Sequence, residues 1–569
     1  MRRFATLYAE LDASTATNDK LAALLRWFDA APPQDAAWGV YFLAGGRPRQ
    51  VVPTALLREV ALRSSGLPEW LFEECYQAVG DLAETIAHVL PPGRADDDAG
   101  LAEWVEQRLL TWRGQGPAEQ AARLADAFDR LDAPGRFLLA KLIGGGFRVG
   151  VSRLLVQRAL ALWSGLDPKV VAQRLMGWTD ARATPSAERF RALVGADADG
   201  LADPGQPYPF FLAHALEADV ATLGPVADWH VEWKYDGIRA QLVRRAGQAW
   251  LWSRGEELIG ERFPEVIAAA RALPDGTVLD GEVLACRPGE AQPLPFQKLQ
   301  QRITRKTITK KVLADVPARF VAYDLLESEG VDRRGETQGQ RRARLEELVS
   351  AGGTGIGSSD GALGLSPLVH AADWPGYAAL RASSRERGVE GFMLKHASSR
   401  YGSGRTKAEG LWWKWKIDPL SVDCVLIYAQ AGHGRRASVY TDYTFAVWNR
   451  PPAGAAEAQA VVEAIARREP AQPGALQLVP FAKAYSGLTD EEFARISRVV
   501  RDTTLEKFGP VRSVRPTLVF ELGFEGIQTS PRHKSGIAVR FPRMLRIRDD
   551  KPLNEADTLE TLRALLARA

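Results

Sequence analysis

Glu232-Trp233-Lys234-Tyr235-Asp236-Gly237-Ile238-Arg239 is where this chain changes character. Upstream, apolar residues recur at helical spacing. Here they alternate, through Val231, Trp233 and Tyr235 and then through Ile238, Ala240 and Leu242. That pattern predicts a strand, a reversal at Asp236-Gly237 and a second strand. Trp250 and Trp252, after a turn at Gly247, predict a third. Lys234 stands at the end of the first strand between two aromatic residues. An amine is a nucleophile only when neutral, and both burial and a nearby cation such as Arg239 favour that form. Alone, Lys-x-Asp-Gly is also what a surface lysine before a tight turn looks like.

Further strand-borne polar groups follow in order. Ser253-Arg254-Gly255 ends the third strand and offers an arginine to a phosphate or ribose. Leu279-Asp280-Gly281-Glu282 puts two carboxylates on one side of a strand, a set suited to a ribose hydroxyl or magnesium. Tyr323, in Phe320–Leu325, is a ring able to stack on a base. Glu390-Gly391-Phe392-Met393-Leu394-Lys395 carries a carboxylate and a lysine on one strand. In Trp412–Lys416 the alternation gives Lys414 and Lys416 one face and the tryptophans the other. Each residue also reads as a core ring or a solvated strand-end charge. A complete set in this order, around one strand-borne lysine, favours a nucleotide site.

Residues 1–205 read as helical. Asn18-Asp19 would cap a helix carrying Leu21, Leu24, Leu25 and Phe28; residues 118–131 form another, and Val151, Leu155, Ala159 and Leu162 a third stripe. Between helices, Gly144–Gly150 could bring backbone N–H groups of Gly145 and Gly146, with Arg148, close to a phosphate; the plain alternative is a glycine-rich turn. Residues 197–209 read as a linker and 351–363 as a flexible insertion. Beyond Asp418, strands are expected at Cys424–Ala429, Tyr440–Val447, Gln477–Ala482, Thr517–Leu522 and Ile537–Arg540. One helix, opened by a Thr489/Glu492 capping box, interrupts them, and a final helix carries Leu559, Leu562, Leu565 and Leu566. Short strands with one helix suggest a small β-barrel.

Composition bounds the partners. The 569 residues balance 73 basic against 70 acidic side chains, so net charge alone does not announce a nucleic-acid binder. Cys75, Cys286 and Cys424 are far apart, against a disulfide framework or a cysteine-rich zinc site and in keeping with a reducing cytoplasm. No apolar run is long enough for a membrane span, and MRRFATLYAELDAS lacks the apolar core of a signal peptide. Local basic clusters exist: Lys298 to Lys311, with Arg302, Arg305 and Lys306, and Arg532 to Lys551. They suit sequence-independent phosphate contacts, or a solvated charged face.

The ordered set resembles the covalent nucleotidyltransferases, and in particular the ATP-dependent DNA ligases of a bacterial repair-associated branch. Arg548, Asp550 and Lys551 look like the R-x-D-K core of that family's last motif. The resemblance implies an all-α DNA-binding domain over 1–205, an α+β nucleotidyltransferase domain over 206–418 and a C-terminal OB-fold β-barrel over 419–569. It implies ATP as co-substrate, magnesium (or manganese) and nicked duplex DNA as partner, in a monomer located with the nucleoid in the cytoplasm and in contact with repair proteins. Lys234 would attack the α-phosphate of ATP, forming lysyl-AMP; AMP would pass to the 5′-phosphate of a nick, and the 3′-hydroxyl would displace it. Glu232 would flank the adenine, Arg239 and Arg254 contact ribose or phosphate, Glu282 hold ribose or metal, and Tyr323 stack on adenine. Glu390 would support magnesium, and Lys395, Lys414 and Lys416 neutralise phosphates. Arg548 and Lys551 would orient the departing pyrophosphate. Tyr323 stands where phenylalanine is commoner in the family and Trp415 where an aliphatic is. Arg405 is the nearest counterpart of a further ATP-contacting arginine. An RNA ligase or capping enzyme, or an inert nicked-DNA-binding protein on the same scaffold, are the rival readings.

Overall fold

The computed structural model describes residues 1–48, 51–144, 147, 149–180, 184–195, 204–290, 292–305, 307–350, 361–432 and 439–568. Gly145, Gly146, Arg148 and Lys306 lie outside these, as do most of the expected linker and insertion. The chain divides into two compact units. One gathers Met1–Val52, Asp97–Gln115 and Lys141–Ile417; the other gathers Pro53–Asp96, Gly116–Ala140 and Asp418–Ala569.

The helical part of the first unit is built on apolar stripes. Helix Thr17–Ala30 buries Leu21, Leu24, Trp27 and Phe28. It begins before the expected cap, so Asp19 lies in the first turn, where a carboxylate suits the helix dipole, and accepts a hydrogen bond from Ser14 Oγ at 2.8 Å. Helix Arg153–Ser164 is capped by Ser152, whose Oγ accepts from the Leu155 N–H. Its buried stripe runs through Leu155, Val156, Ala159 and Leu160, which turns Leu162 out to 58% exposure despite its place in the expected stripe.

Two sheets carry the rest of this unit. The strands are β1 (His214–Ala215), β2 (Trp229–Tyr235), β3 (Ile238–Arg245), β4 (Gln248–Ser253), β5 (Thr277–Ala285), β6 (Ala318–Ser328), β7 (Val331–Asp332), β8 (Leu363–Leu365), β9 (Val389–His396) and β10 (Trp412–Lys416). One sheet runs β1-β10-β9-β2; the other runs β4-β3-β5-β6-β7, with β8 beside β6. The reversal expected at Asp236-Gly237 is therefore not a hairpin. It carries the chain from one sheet to the other, and a Cβ at Gly237 would collide with the Val283 carbonyl oxygen. The hairpin is β3–β4, turned by Ala246 and Gly247, both at positive φ.

Alternation fixes the layers. Val231, Trp233, Phe392 and Leu394 pack with Trp374 and Tyr377 of helix Trp374–Ala382 on one face of the first sheet. Ala240, Leu242, Leu279, Val283, Phe320 and Ala322 pack on the outer face of the second, against Phe263, Val266 and Leu345. Between the sheets, Phe211, Val243, Val278, Leu326, Tyr401 and Trp412 form a shared core. Trp412 thus lies on the lysine face of β10, against the expectation that all its tryptophans face away, because the residue two before Lys414 must share its side.

In the second unit a long strand, β11 (Leu420–Ala431), is the spine. It pairs with β12 (Tyr440–Trp448) on one side. On the other it pairs with both β15 (Val511–Val514) and β16 (Val519–Phe524). β13 (Leu478–Ala484) extends β12, β14 (Thr504–Phe508) extends β15, and β19 (Arg543–Ile547) extends β16. β17 (Gly526–Thr529) and β18 (Ile537–Arg540) form a separate pair. The strand-rich core includes Cys424, Phe445, Phe481, Phe520, Leu522 and Met544, consistent with an OB-fold. Helix Asp490–Thr503 opens with the expected capping box and buries Ile496 and Val500. Helix Ala455–Ala466 was not foreseen: its alanines give little amphipathic contrast, yet Ala458 and Val462 seat it.

Candidate active site

The inner faces of the two sheets bring the predicted residues of the first unit together. Lys234 Nζ is hydrogen-bonded to Glu390 Oε2, and Lys416 Nζ stands 3.3 Å from the same oxygen. Glu390 is followed by Gly391 at φ +117°, and the β2–β9 register slips between Trp233 and Tyr235. The irregularity lets Glu390 meet Lys234 although strict alternation from Lys395 would turn it away. Burial would raise the Glu390 carboxyl, but Lys234 and Lys416 outweigh it and hold it below its ordinary range.

Glu282 is the opposite case. It lies directly across from Arg239 in the β3–β5 ladder, and burial pushes its carboxyl up to about 8 in spite of Lys234 and Arg239. Lys414, between Met393 on β9 and Ala215 on β1, has its ammonium lowered by burial and then by Arg405, Lys234, Lys416 and Arg254. Arg254 and Arg405 are exposed. These five cations converge on a space whose near carboxylates are Glu390 and Glu282.

Three predicted contacts are committed inside the protein. Lys395 is 1% exposed; its Nζ reaches Glu232 Oε2 at 2.6 Å and the Tyr323 carbonyl at 3.1 Å, and lies over the Tyr323 and Trp412 rings. Where the resemblance implied a phosphate contact, its ammonium is engaged within the protein and holds Glu232. Arg342 Nη1 donates to the other oxygen of Glu232, at 3.0 Å. Arg239 donates from Nε and Nη2 to Asp280, at 3.2 and 2.7 Å, inside a box of Phe210, Tyr323 and Trp412. Asp280 is fully buried and also accepts from Tyr401 Oη at 2.7 Å and Tyr323 Oη at 3.3 Å. Asp280 is thus an anchor for Arg239 and the hydroxyl partner of Tyr323, while Glu282 alone of the two faces the lysines.

Arg302 is corrected outright. It is 0% exposed, and its guanidinium donates to the Arg262 and Val316 carbonyls and to Glu265. A side chain so engaged ties helix Phe296–Ile303 to the core and does not reach DNA. Arg305 is exposed. In the second unit, Arg548 and Lys551 share the carboxylate of Asp423. Sequence reasoning missed Arg342, Tyr401 and Asp423. Arg341 and Arg342 are both buried, and nothing in periodicity marks which of them meets Glu232, or which acid on a strand meets a partner more than a hundred residues away.

Family models match along the chain: DNA ligase N terminus at residues 1–161, ATP dependent DNA ligase domain at 211–416, and ATP dependent DNA ligase C terminal region at 465–551. A probable DNA ligase of Koribacter versatilis is 32% identical over 98% of this chain and 95% of its own length. The chain belongs to the ATP-dependent DNA ligases. A DNA ligase of Natronomonas pharaonis is likewise 32% identical, over 83% of this ligase and 79% of its own length. The solved structure Pmar-Lig_Pre shares the fold at 15% identity, with a TM-score of 0.57 over 96% of this ligase and 99% of that chain. This ligase is accordingly an enzyme, with a helical N-terminal region, a nucleotidyltransferase domain and a strand-rich C-terminal region. Among the described residues no helix is long and apolar enough to cross a membrane.

Proposed function

We propose that this ligase seals nicks in duplex DNA, with Lys234 as the nucleophile that takes AMP from ATP. The observation that carries the assignment is the cation cluster around Lys414. Lys234, Arg254, Arg405, Lys414 and Lys416 repel one another, Glu390 offsets only part of that repulsion through Lys234 and Lys416, and a triphosphate is an anion that would offset the rest. The Lys234 Nζ attacks the α-phosphorus, the bond to the bridging oxygen breaks, and pyrophosphate leaves with the electron pair. Glu390, already hydrogen-bonded to Lys234, is placed to receive the proton the amine must lose. Tyr323 offers its face to the base, and Glu232 is held by Lys395 and Arg342 at the base end of the site. Arg548 and Lys551 act on the departing pyrophosphate.

The donor set fits magnesium. Glu282 and Glu390 supply hard oxygen ligands, Glu282 has no hydrogen-bond donor among the described residues, and magnesium binds through one or two carboxylates plus substrate phosphates. When bound, the metal would neutralise phosphate charge. Nicked duplex DNA is the acceptor, met in part by exposed basic residues such as Arg305. The chain acts as a monomer of three parts, 1–205, 206–418 and 419–569, in the cytoplasm with the nucleoid; the repair-protein partners expected from the family are part of the same reading.

The test is incubation with labelled ATP or GTP and magnesium, then with a nicked duplex bearing a 5′-phosphate. The expected result is a denaturation-stable adenylate, formed from ATP only, followed by a sealed strand on a denaturing gel. Lys234→Ala should form neither while still binding the nick. An adenylate retained in that variant overturns the role of Lys234; an adenylate with no DNA sealing moves the acceptor to RNA; a wild-type chain that forms no adenylate leaves the inert DNA-binding reading.

A further inference from the structure

The two cations of the C-terminal motif are held by one carboxylate outside it. Arg548 follows β19, and its Nη1 donates to both oxygens of Asp423, each at 2.9 Å. Its Nε and Nη2 donate to Asp550, also at 2.9 Å. Lys551 Nζ donates to Asp423 Oδ2 at 2.6 Å. Asp423 lies in β11, opposite Glu521 of β16, and its residue is 8% exposed. Its backbone is pinned on both sides: the Asp423 N–H donates to Asp557 Oδ2 at 2.7 Å, and the Asp423 carbonyl accepts from the Asp557 N–H at 2.8 Å. Asp550 pairs with Arg548 and is exposed. Among the described residues Asp423 alone joins Arg548 to Lys551, and it does so from the strand core rather than from a loop.

We propose that Asp423 is a positioning residue for the first chemical step, holding Arg548 and Lys551 as one preformed array that engages the leaving pyrophosphate. The inference rests on the proposed reading that those two cations act on pyrophosphate. Arginine and lysine side chains each carry substantial rotamer entropy. Two free side chains would lose much of it on meeting a phosphate, whereas a pair already fixed by a shared carboxylate has lost it on folding. Arg548 retains an Nη2 hydrogen beyond its contact with Asp550, and Lys551 retains donors beyond its contact with Asp423, so the array can still present N–H groups. Pyrophosphate leaves only when lysine is adenylated. Asp423 should therefore matter to adenylation and not to the sealing of a nick that already carries AMP on its 5′-phosphate.

The experiment compares wild type, Asp423→Asn, Arg548→Ala and the double variant in the full chain. Two rates are measured: Lys234 adenylation across ATP concentration, and sealing of a synthetic 5′-adenylated nick. The isosteric Asp423→Asn keeps the backbone ties to Asp557. It should lose tenfold or more in kcat/KM for adenylation, with a raised KM for ATP, and seal the adenylated nick at the wild-type rate. The double variant should lose less than the product of the two single losses, since Asp423 acts in part through Arg548 and in part through Lys551. Wild-type adenylation by Asp423→Asn, or equal loss of both rates, overturns the proposal, the second result marking a structural prop. Multiplicative losses in the double variant also overturn it. If Arg548→Ala adenylates normally, the reading of Arg548 itself fails; if Arg548→Ala is impaired and Asp423→Asn is not, only the role of Asp423 fails.

Discussion

Removing Asp280 probes both the stability and the chemistry of the inner sheet face. Its carboxylate is fully buried and takes two donations from Arg239, one from Tyr401 and one from Tyr323. Asp280→Ala leaves a guanidinium with a 14%-exposed side chain boxed by Phe210, Tyr323 and Trp412, without its counter-ion. Removing one partner of a buried pair typically costs about 3–5 kcal/mol. A second route agrees: one bidentate charged interaction at about 1.5–3 kcal/mol and two hydroxyl bonds at about 1 kcal/mol each give a loss of similar size. Denaturant unfolding, followed by the tryptophans of this unit, should show a loss of about 3–5 kcal/mol. The adenylation assay should show a raised KM for ATP, because Arg239 and the Tyr323 ring lose their anchor. The double variant Asp280→Leu/Arg239→Met separates the two effects. Replacing both partners by apolar groups is often neutral for stability, so unfolding should return toward wild type while adenylation stays impaired. A loss under about 1 kcal/mol in Asp280→Ala, or recovery of adenylation in the double variant, would refute the reasoning.

Arg302→Ala should destabilise the first unit by about 2–4 kcal/mol, since it frees Glu265 and two buried carbonyls, and should leave the salt dependence of DNA binding unchanged; a reduced salt slope in a folded Arg302→Ala would restore the DNA contact. Arg305→Ala should instead lower the slope of log affinity against log salt by about one, with no change in melting. Lys395→Met should raise the KM for ATP with little change in the rate at saturating ATP, because Glu232 keeps Arg342 but loses its second anchor; an unchanged KM would sink the anchoring role. The Glu282 carboxyl, pushed up to about 8, binds its proton more tightly folded than unfolded. Its contribution to stability is present below about 4.5 and is lost as pH rises through about 8, with a slope approaching about 1.4 kcal/mol per pH unit. Glu282→Gln should remove that slope between pH 6 and 8 in metal-free unfolding curves; parallel curves for the two proteins would show that Glu282 is not buried as described.

Much of the site was legible because strand alternation says which side chains share a face. Lys414 with Lys416, and Glu232 with Lys234, fall together on that rule alone. What alternation does not say is what waits across the face. Lys395 shares the inner side of its sheet with the phosphate-directed cations, as its strand position implied, yet it meets Glu232 before it meets solvent. Its role is decided by a carboxylate on the neighbouring strand, more than 160 positions upstream. Arg302 shows the same limit on a helix: in a run of six basic residues without an acid it is indistinguishable from Arg305, and the carbonyls of Arg262 and Val316 and the carboxylate of Glu265 separate them. Local irregularities were invisible for another reason. The Glu390–Lys234 pair depends on a register slip and on a glycine at positive φ, and a slip of one residue reverses every side chain beyond it. Composition hides charge use in the same way. The near balance of 73 basic and 70 acidic residues gave no electrostatic signal, and many charges pair locally, as in Arg341–Asp324 and Arg245–Glu327. The informative cations are those gathered at one place: around Lys414, burial first and then Arg405, Lys234, Lys416 and Arg254 lower its ammonium. Lys234 and Lys416 share the single carboxylate of Glu390 there, so local charge still favours a ligand of opposite sign, which is why the placement of charge, rather than its total, points to a polyphosphate.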